Sequence, residues 1–242
     1  MCGRFVSTST PDAIASYFGA STDVESLGQN FNVAPTQDVY GVVARPTEPD
    51  TEPVKTVQAF HWGLIPSWAK ERKISARMIN ARSETLTEKP AFRGLVKTKR
   101  LIIPMDGFYE WKPGAADGPV NSKGKPLKQP MFIHRIDGDP MAVAGLWAAW
   151  KDPADLAQRW MHSATVITTA ANDLVSSVHD RMPVLVPLDR WDEWLDPTNG
   201  DVDALSDLFT ASNDGILEMR AVSTDVNNVR NNSAELLCGL SE

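Results

Sequence analysis

The sequence predicts an α+β fold: one domain of mostly antiparallel β-sheets with short helices at the periphery. Three observations predict it. Strand-length apolar runs dominate and do not alternate regularly with helices, as a parallel sheet would require. No Pro/Gly/Ser linker, repeat, low-complexity segment or heptad divides the 242 residues. The composition, 42% hydrophobic and 23% charged, is that of an ordinary globular chain able to bury a core without staples.

The elements follow in order. Thr10-Pro11-Asp12 reads as N-cap, first helical position and first-turn acid, opening a helix through Tyr17 that Gly19 ends. Asp38–Ala44 and Val54–Trp62 read as strands around a Pro-rich polar loop. Leu101–Pro104 and Gly107–Trp111 are short strands. Residues 112–130, rich in Gly, Pro and Lys, read as a long hairpin connection. Met131–Ile136, Met141–Trp150 and Ala164–Thr168 continue the strand series. Asn172–Val178, Leu188–Leu195 and Val202–Phe209 read as short helices, with strands at Val184–Val186 and Ile216–Val222. Eight tryptophans exceed what packing alone needs, and several fall in polar loops.

Composition also narrows the function classes. No apolar run approaches a membrane-spanning length, and Met-Cys-Gly-Arg-Phe is unlike a signal peptide. Two cysteines, Cys2 and Cys238, sit one at each end, which suggests reduced thiols in a cytoplasmic protein. The net charge of −7 argues against a non-specific nucleic-acid coat but leaves room for a local basic groove. The His and Cys spacings form no metal-ligand set, no phosphate-cradling Gly loop occurs, and no cofactor is expected.

Cys2 carries the most distinctive chemistry. A small second residue favours removal of Met1, which would leave an exposed N-terminal residue bearing both an α-amine and a thiol. With a pKa of about 8, against about 10.4 for lysine, roughly a tenth of that amine is neutral at pH 7. Such an amine attacks an aldehyde to form an imine, and the adjacent thiol closes a five-membered thiazolidine. Taken alone, Cys2 reads equally as an incidental residue behind a retained Met1. Asn80 and Arg82, two apart on an extended segment, point the same way and suit a sugar oxygen and a phosphate; an Asx-type turn is the bland alternative. Glu110 lies between aromatics in Gly107-Phe108-Tyr109-Glu110-Trp111, where desolvation raises a carboxyl pKa and suits it to proton transfer. His179 follows an apolar helix end, with Asp180 and Arg181 also readable as salt-bridge partners. Lys70, Arg72, Lys73 and Arg77 precede Asn80, and Arg93, Lys97, Lys99 and Arg100 follow it, as a phosphate groove or a solvated face.

Seven segments occur in an order that resembles the SRAP family, the SOS-response-associated peptidase domain proteins that shield abasic sites. They are Met1–Phe5, Asn32–Thr36, Trp62–Trp68, Ile79–Thr85, Asp106–Trp111, Ala144–Trp147 and His179–Pro183, and the resemblance runs on to Asn228-Val229-Arg230-Asn231. It implies a single barrel-like SRAP domain over residues 1–242, and a monomer that binds abasic sites in single-stranded DNA, without metal or membrane. Cys2 would form the imine and thiazolidine with the C1′ aldehyde of the opened sugar. Glu110 would manage protons at the Cys2 amine, His179 would act as acid and base on the sugar, and Asn80 would orient both. Arg82, with Arg4 and Asn32, would contact phosphates, and Trp62 and Thr168 join the implied DNA-binding set. Ala69 follows Trp68 where some relatives carry a second aromatic, so base stacking would rest on Trp68, alone or with Phe92. The peptidase label fits self-removal of Met1, a task a housekeeping aminopeptidase performs equally well, and a lyase outcome by β-elimination stays open beside crosslinking. Two rival readings remain at this point: a cysteine peptidase using Cys2 and His179, and a non-covalent single-stranded DNA-binding module.

Overall fold

The computed structural model describes residues 2–240, except 47, 49, 50, 116, 121, 122 and 213. Thirteen strands and four short α-helices are named here in chain order. They are β1 (Phe5–Ser7), α1 (Pro11–Phe18), β2 (Ser21–Thr22), β3 (Asn30–Val33), β4 (Asp38–Pro46), β5 (Pro53–Trp62), β6 (Asn80–Arg82), α2 (Leu95–Thr98) and β7 (Arg100–Met105). Then come β8 (Gly107–Lys112), β9 (Gln129–Arg135), β10 (Met141–Lys151), β11 (Trp160–Ala170), α3 (Asp173–Ser176), β12 (Arg181–Pro183), α4 (Trp191–Leu195) and β13 (Leu217–Ala221).

Five of these strands close a barrel. β5, β4, β7, β10 and β11 pair antiparallel in that order, and β11 returns to β5 in parallel at Ser163↔His61 and Ala164↔Trp62. Closure removes the sheet edges and makes a narrow interior. Gly41 and Gly145 reflect that narrowness: a Cβ on Gly41 would lie 2.6 Å from Leu101 Cδ1, and one on Gly145 2.8 Å from the Thr165 carbonyl. Strand alternation sends Val39, Val43, Phe60, Leu101, Ile103, Val143, Trp147 and Ala164 into one core. The opposite parity, including Val42, Ile102, Ala144 and Leu146, packs outward against Ile14 and Phe18 of α1, Val96 of α2 and Trp194 of α4. A second sheet, ordered β13-β9-β8-β1-β3, contributes Phe5, Val33, Phe108 and Ile133 to the inner core.

The barrel-like α+β expectation therefore holds, and most strands lie where apolar alternation puts them. Thr10 caps α1, accepting from the Ala13 amide at 3.2 Å, and Gly19 ends it in the left-handed region at φ 60°. Three expectations need correction. Residues 202–209 form only a 3₁₀ turn at Ser206–Phe209, and the strand expected at Val184–Val186 lies at Arg181–Pro183, with Leu185 making an isolated bridge to Val143. The tryptophans mostly serve packing: Trp62, Trp147, Trp150, Trp191 and Trp194 are buried.

Candidate functional site

The site is built where β6 lies in parallel beside β11, pairing Asn80 with Val166 and Arg82 with Thr168. The Trp62 indole donates to the Ile79 carbonyl at 3.1 Å and holds the approach to β6. Asn80 Nδ2 then donates to the Cys2 carbonyl at 2.8 Å, tying the chain start to the barrel. Asn80 Oδ1 is buried with no donor facing it among the described residues.

Cys2 departs from the exposed nucleophile expected: it is fully buried, packed in the inner core with Phe5, Val33 and Trp62. Burial drives the thiol pKa far above its ordinary value, and the nearby Glu110 charge adds to that; the positive chain terminus and the Arg4 backbone oppose it. The thiol is therefore neutral here, the reverse of the thiolate that a cysteine peptidase dyad requires.

Glu110 sits on β8 and is buried, and desolvation pushes its carboxyl up to about 7 against the pull of the chain's positive terminus. His179 follows α3. Its Nδ1 accepts from the Arg181 amide at 3.0 Å and lies 2.8 Å from the Asp180 carboxylate. Burial lowers its pKa, as does the same positive terminus, while Asp180 opposes the shift. Glu110 and His179 thus both respond to the charge at the chain start, and Asn80 holds the Cys2 backbone there.

A clamp not foreseen as such fixes the His179 turn. The Arg181 guanidinium makes a two-pronged ion pair with Glu84, at 2.5 and 2.9 Å, and also donates to the Thr168 carbonyl at 2.6 Å. The Arg181 hydrogen bond holds the Glu84 carboxyl down to about 2. Arg181 was legible only as a salt-bridge candidate, because the partner lies 97 residues away.

Several expected DNA contacts are committed to the fold instead. Asn32 is buried: its Oδ1 accepts from Arg4 at 2.7 Å, and its Nδ2 donates to the carbonyls of Val226, Asn228 and Asn231. Arg4 also donates to Val226 at 2.9 Å and stands 5.8 Å from the Trp111 ring centroid, so its guanidinium is a strut between the two ends of the chain. Trp62 and Phe92 are core residues and offer no ring face to a base. Thr168 is buried, and its hydroxyl has no hydrogen-bond partner among the described residues. The surface expectations that remain geometrically available are Arg82, exposed at the end of β6, and Trp68, 61% exposed. Trp68 borders a groove of about 650 Å³ with Lys70, Lys73, Ile74 and Arg77.

The basic stretch is likewise divided. Arg72 and Arg77 bound one 3₁₀ turn beside β6. Arg93 and Lys97 line a separate groove with Asp201 and Asp203. Arg100 is buried, donating to the Trp194, Val96, Lys97 and Asp196 carbonyls and so satisfying two helix ends. Lys99 lies over Trp147, away from Asn80. Among the described residues no group of three His, Cys, Asp or Glu could hold a metal ion, and no helix is long and apolar enough to cross a membrane.

With this fold and this chain start, the protein belongs to the SRAP family, SOS response associated peptidase, whose family model matches residues 1–229. It is 39% identical to the abasic site processing protein YoaM of Bacillus subtilis, over 98% of this chain and 97% of that protein. It is 28% identical to the abasic site processing protein YedK of Escherichia coli, over 98% of this chain and 99% of that one. Among solved structures, a protein from Bacteroides thetaiotaomicron superposes with a TM-score of 0.82 at 22% identity, covering 99% of this chain and all of that one, a likeness of fold.

Proposed function

We propose that this protein processes abasic sites in single-stranded DNA by bonding to them covalently through Cys2 once Met1 is removed. The observation that carries the reading is the gathering of Asn80, Glu110 and His179 at the chain start. Relatives that span nearly the whole chain and are named abasic site processing proteins support it. Removal of Met1 moves the α-amine onto Cys2. The neutral amine attacks the C1′ aldehyde of the opened sugar, Glu110 takes the proton released from nitrogen, and loss of water leaves an imine. The Cys2 sulfur then adds to the imine carbon while the thiol proton passes to nitrogen, closing the thiazolidine. A carboxyl titrating near 7 suits Glu110 to both giving and taking a proton at neutral pH. A mainly neutral His179 serves the sugar oxygen as the ring opens. The Asn80 Oδ1, buried without a donor, is the acceptor that orients the new amine.

Intact mass spectrometry tests this directly. Active protein should lack Met1 and gain the mass of one abasic oligonucleotide minus water. A crosslinking protein that retained all 242 residues would end the mechanism.

Two further outcomes concern non-covalent binding. Arg82→Ala should weaken association and flatten its dependence on salt, since each phosphate contact releases counterions, while the crosslinking rate at saturation changes less. An unchanged salt slope removes Arg82 from the phosphate role. Trp68→Ala should weaken binding of single-stranded oligonucleotide by about 5- to 100-fold, the range of one base–aromatic stack, as read by fluorescence anisotropy. Equal affinity would mean that no base stacks there.

A further inference from the structure

The barrel has a second mouth, at the opposite end of β11 from Thr168 and β6. Six residues of strand separate Thr168 from His162 at that mouth, roughly 20 Å by strand rise. There the Arg45 guanidinium lies 4.2 Å from the Trp147 ring centroid, and Lys99 Nζ lies 4.8 Å from the same ring. His162 packs edge-on against Trp147 with centroids 5.6 Å apart, and stacks on Phe60. The registers Val42↔Ile102 and Leu146↔Arg100 bring Arg45 and Trp147 alongside Lys99 on its two neighbouring strands. Like charges on facing positions of adjacent strands repel. An indole between them offsets part of that repulsion but supplies no counter-charge.

No carboxylate among the described residues forms an ion pair with these cations. The positions sharing this inward face, Arg45, Thr56, Gln58, Lys99, Lys151 and His162, include no acid, and none of the three cations forms an ion pair among the described residues. Arg45 Nε and Nη2 are buried and meet no hydrogen-bond acceptor among the described residues. His162 is held below its ordinary pKa by burial and then by Arg45 and Lys99, both cations. In a chain of net charge −7, a cluster of this kind without an acid is a site lacking its counter-ion.

We propose that this second mouth is a binding site for a phosphate-class oxyanion, held between Arg45 and Lys99 with Lys151 at the rim. The Arg45 guanidinium donates to a phosphate oxygen through the nitrogen that is not buried, and a lysine supplies a point charge to another. Two sources present that chemistry: a phosphodiester of the DNA strand running on from the reactive sugar, and free phosphate or nucleotide. The site itself stands independently of the proposed crosslinking; only the first source rests on it.

The test uses the full chain and inorganic phosphate as the probe. Calorimetric titration and thermal melting in phosphate, against chloride at matched ionic strength, should show phosphate-specific binding and a raised Tm. Lys99→Gln and Arg45→Gln should each weaken phosphate binding by about tenfold or more, the loss expected of a charge-assisted hydrogen bond. If Lys99→Gln also weakens an undamaged 20-mer oligonucleotide but not a dinucleotide, the source is the DNA strand; if neither oligonucleotide is affected, it is the free anion. Crosslinking of an abasic dinucleotide, too short to reach this mouth, should be unchanged in both variants, so failure of the chemistry at Cys2 is read separately. The proposal is overturned if phosphate binds no better than chloride. It is equally overturned if Lys99→Gln raises Tm while phosphate affinity stays at the wild-type value, because the cluster then only packs Trp147.

Discussion

Cys2→Ser is expected to lose durable crosslinks to abasic DNA altogether while still reacting. The variant keeps the α-amine, so an imine forms and can be trapped by borohydride. The serine hydroxyl closes a weaker ring than the thiol does, and without reductant the imine returns to amine and aldehyde. Denaturing electrophoresis after heat, with and without borohydride, separates the two outcomes. Adducts as durable as wild type without reductant would falsify the aminothiol mechanism. The same variant bears on the peptidase reading, since a buried thiol held far above its ordinary pKa contributes nothing as a thiolate. Acetylating the α-amine complements it: a peptidase dyad survives that treatment and an imine former does not.

Glu110→Gln should slow single-turnover crosslinking by at least an order of magnitude, with the largest loss between about pH 7 and pH 8, where Glu110 is ionised and the α-amine is still mainly protonated. The wild-type rate should rise with pH through about 7 as Glu110 ionises, and the variant should lack that rise. Wild-type rates in the variant would remove Glu110 from proton transfer. The same substitution should stabilise the fold. Burial lifts the Glu110 pKa from its ordinary 4.5 to about 7, so between those values the folded state holds a proton that the unfolded chain releases. Stability contributed by the neutral carboxyl is present below about 4.5 and is lost as pH rises through about 7. The loss is up to about 3 kcal/mol for a shift of this size. Glutamine carries no such charge, so denaturant melts at pH 8 should show the variant more stable than wild type, with the gap closing near pH 4. A variant no more stable at pH 8 would mean that the carboxylate is well satisfied where it lies. Slower chemistry with higher stability is the signature of a carboxyl kept buried for its reactivity.

Strand content and order were legible because alternation over β4, β5, β10 and β11 leaves a clear period of two. Barrel closure was not readable from the residues, since the β11–β5 contact joins Ser163 to His61 across a hundred residues and leaves no local signal. At the site, Cys2, Asn80, Glu110 and His179 stood out because each residue type has an unusual neighbour in sequence. Their surroundings did not follow from that. Asn32 and Arg4 look like ligands in sequence, since a polar side chain carries no mark of whether its partner is a phosphate or a distant carbonyl. Trp62 and Phe92 look like stacking surfaces for the same reason: an aromatic ring fits a core as well as a base. The acid that Arg181 meets, Glu84, lies in the same segment as Asn80, and only the parallel β6–β11 pairing brings it within reach.

The Asn32 amide has a consequence for how the molecule is made. It fastens β3 to carbonyls 194 to 199 residues further along the chain, and the Phe31 amide adds a bond to Asn232. Arg4, two residues from Cys2, is held by the same knot. A ribosome delivers the N-terminus first, so Cys2 emerges early, yet the strut beside it cannot close until Val226, Asn228 and Asn231 have left the exit tunnel. Cys2 is thus made long before the contacts that fasten its neighbourhood.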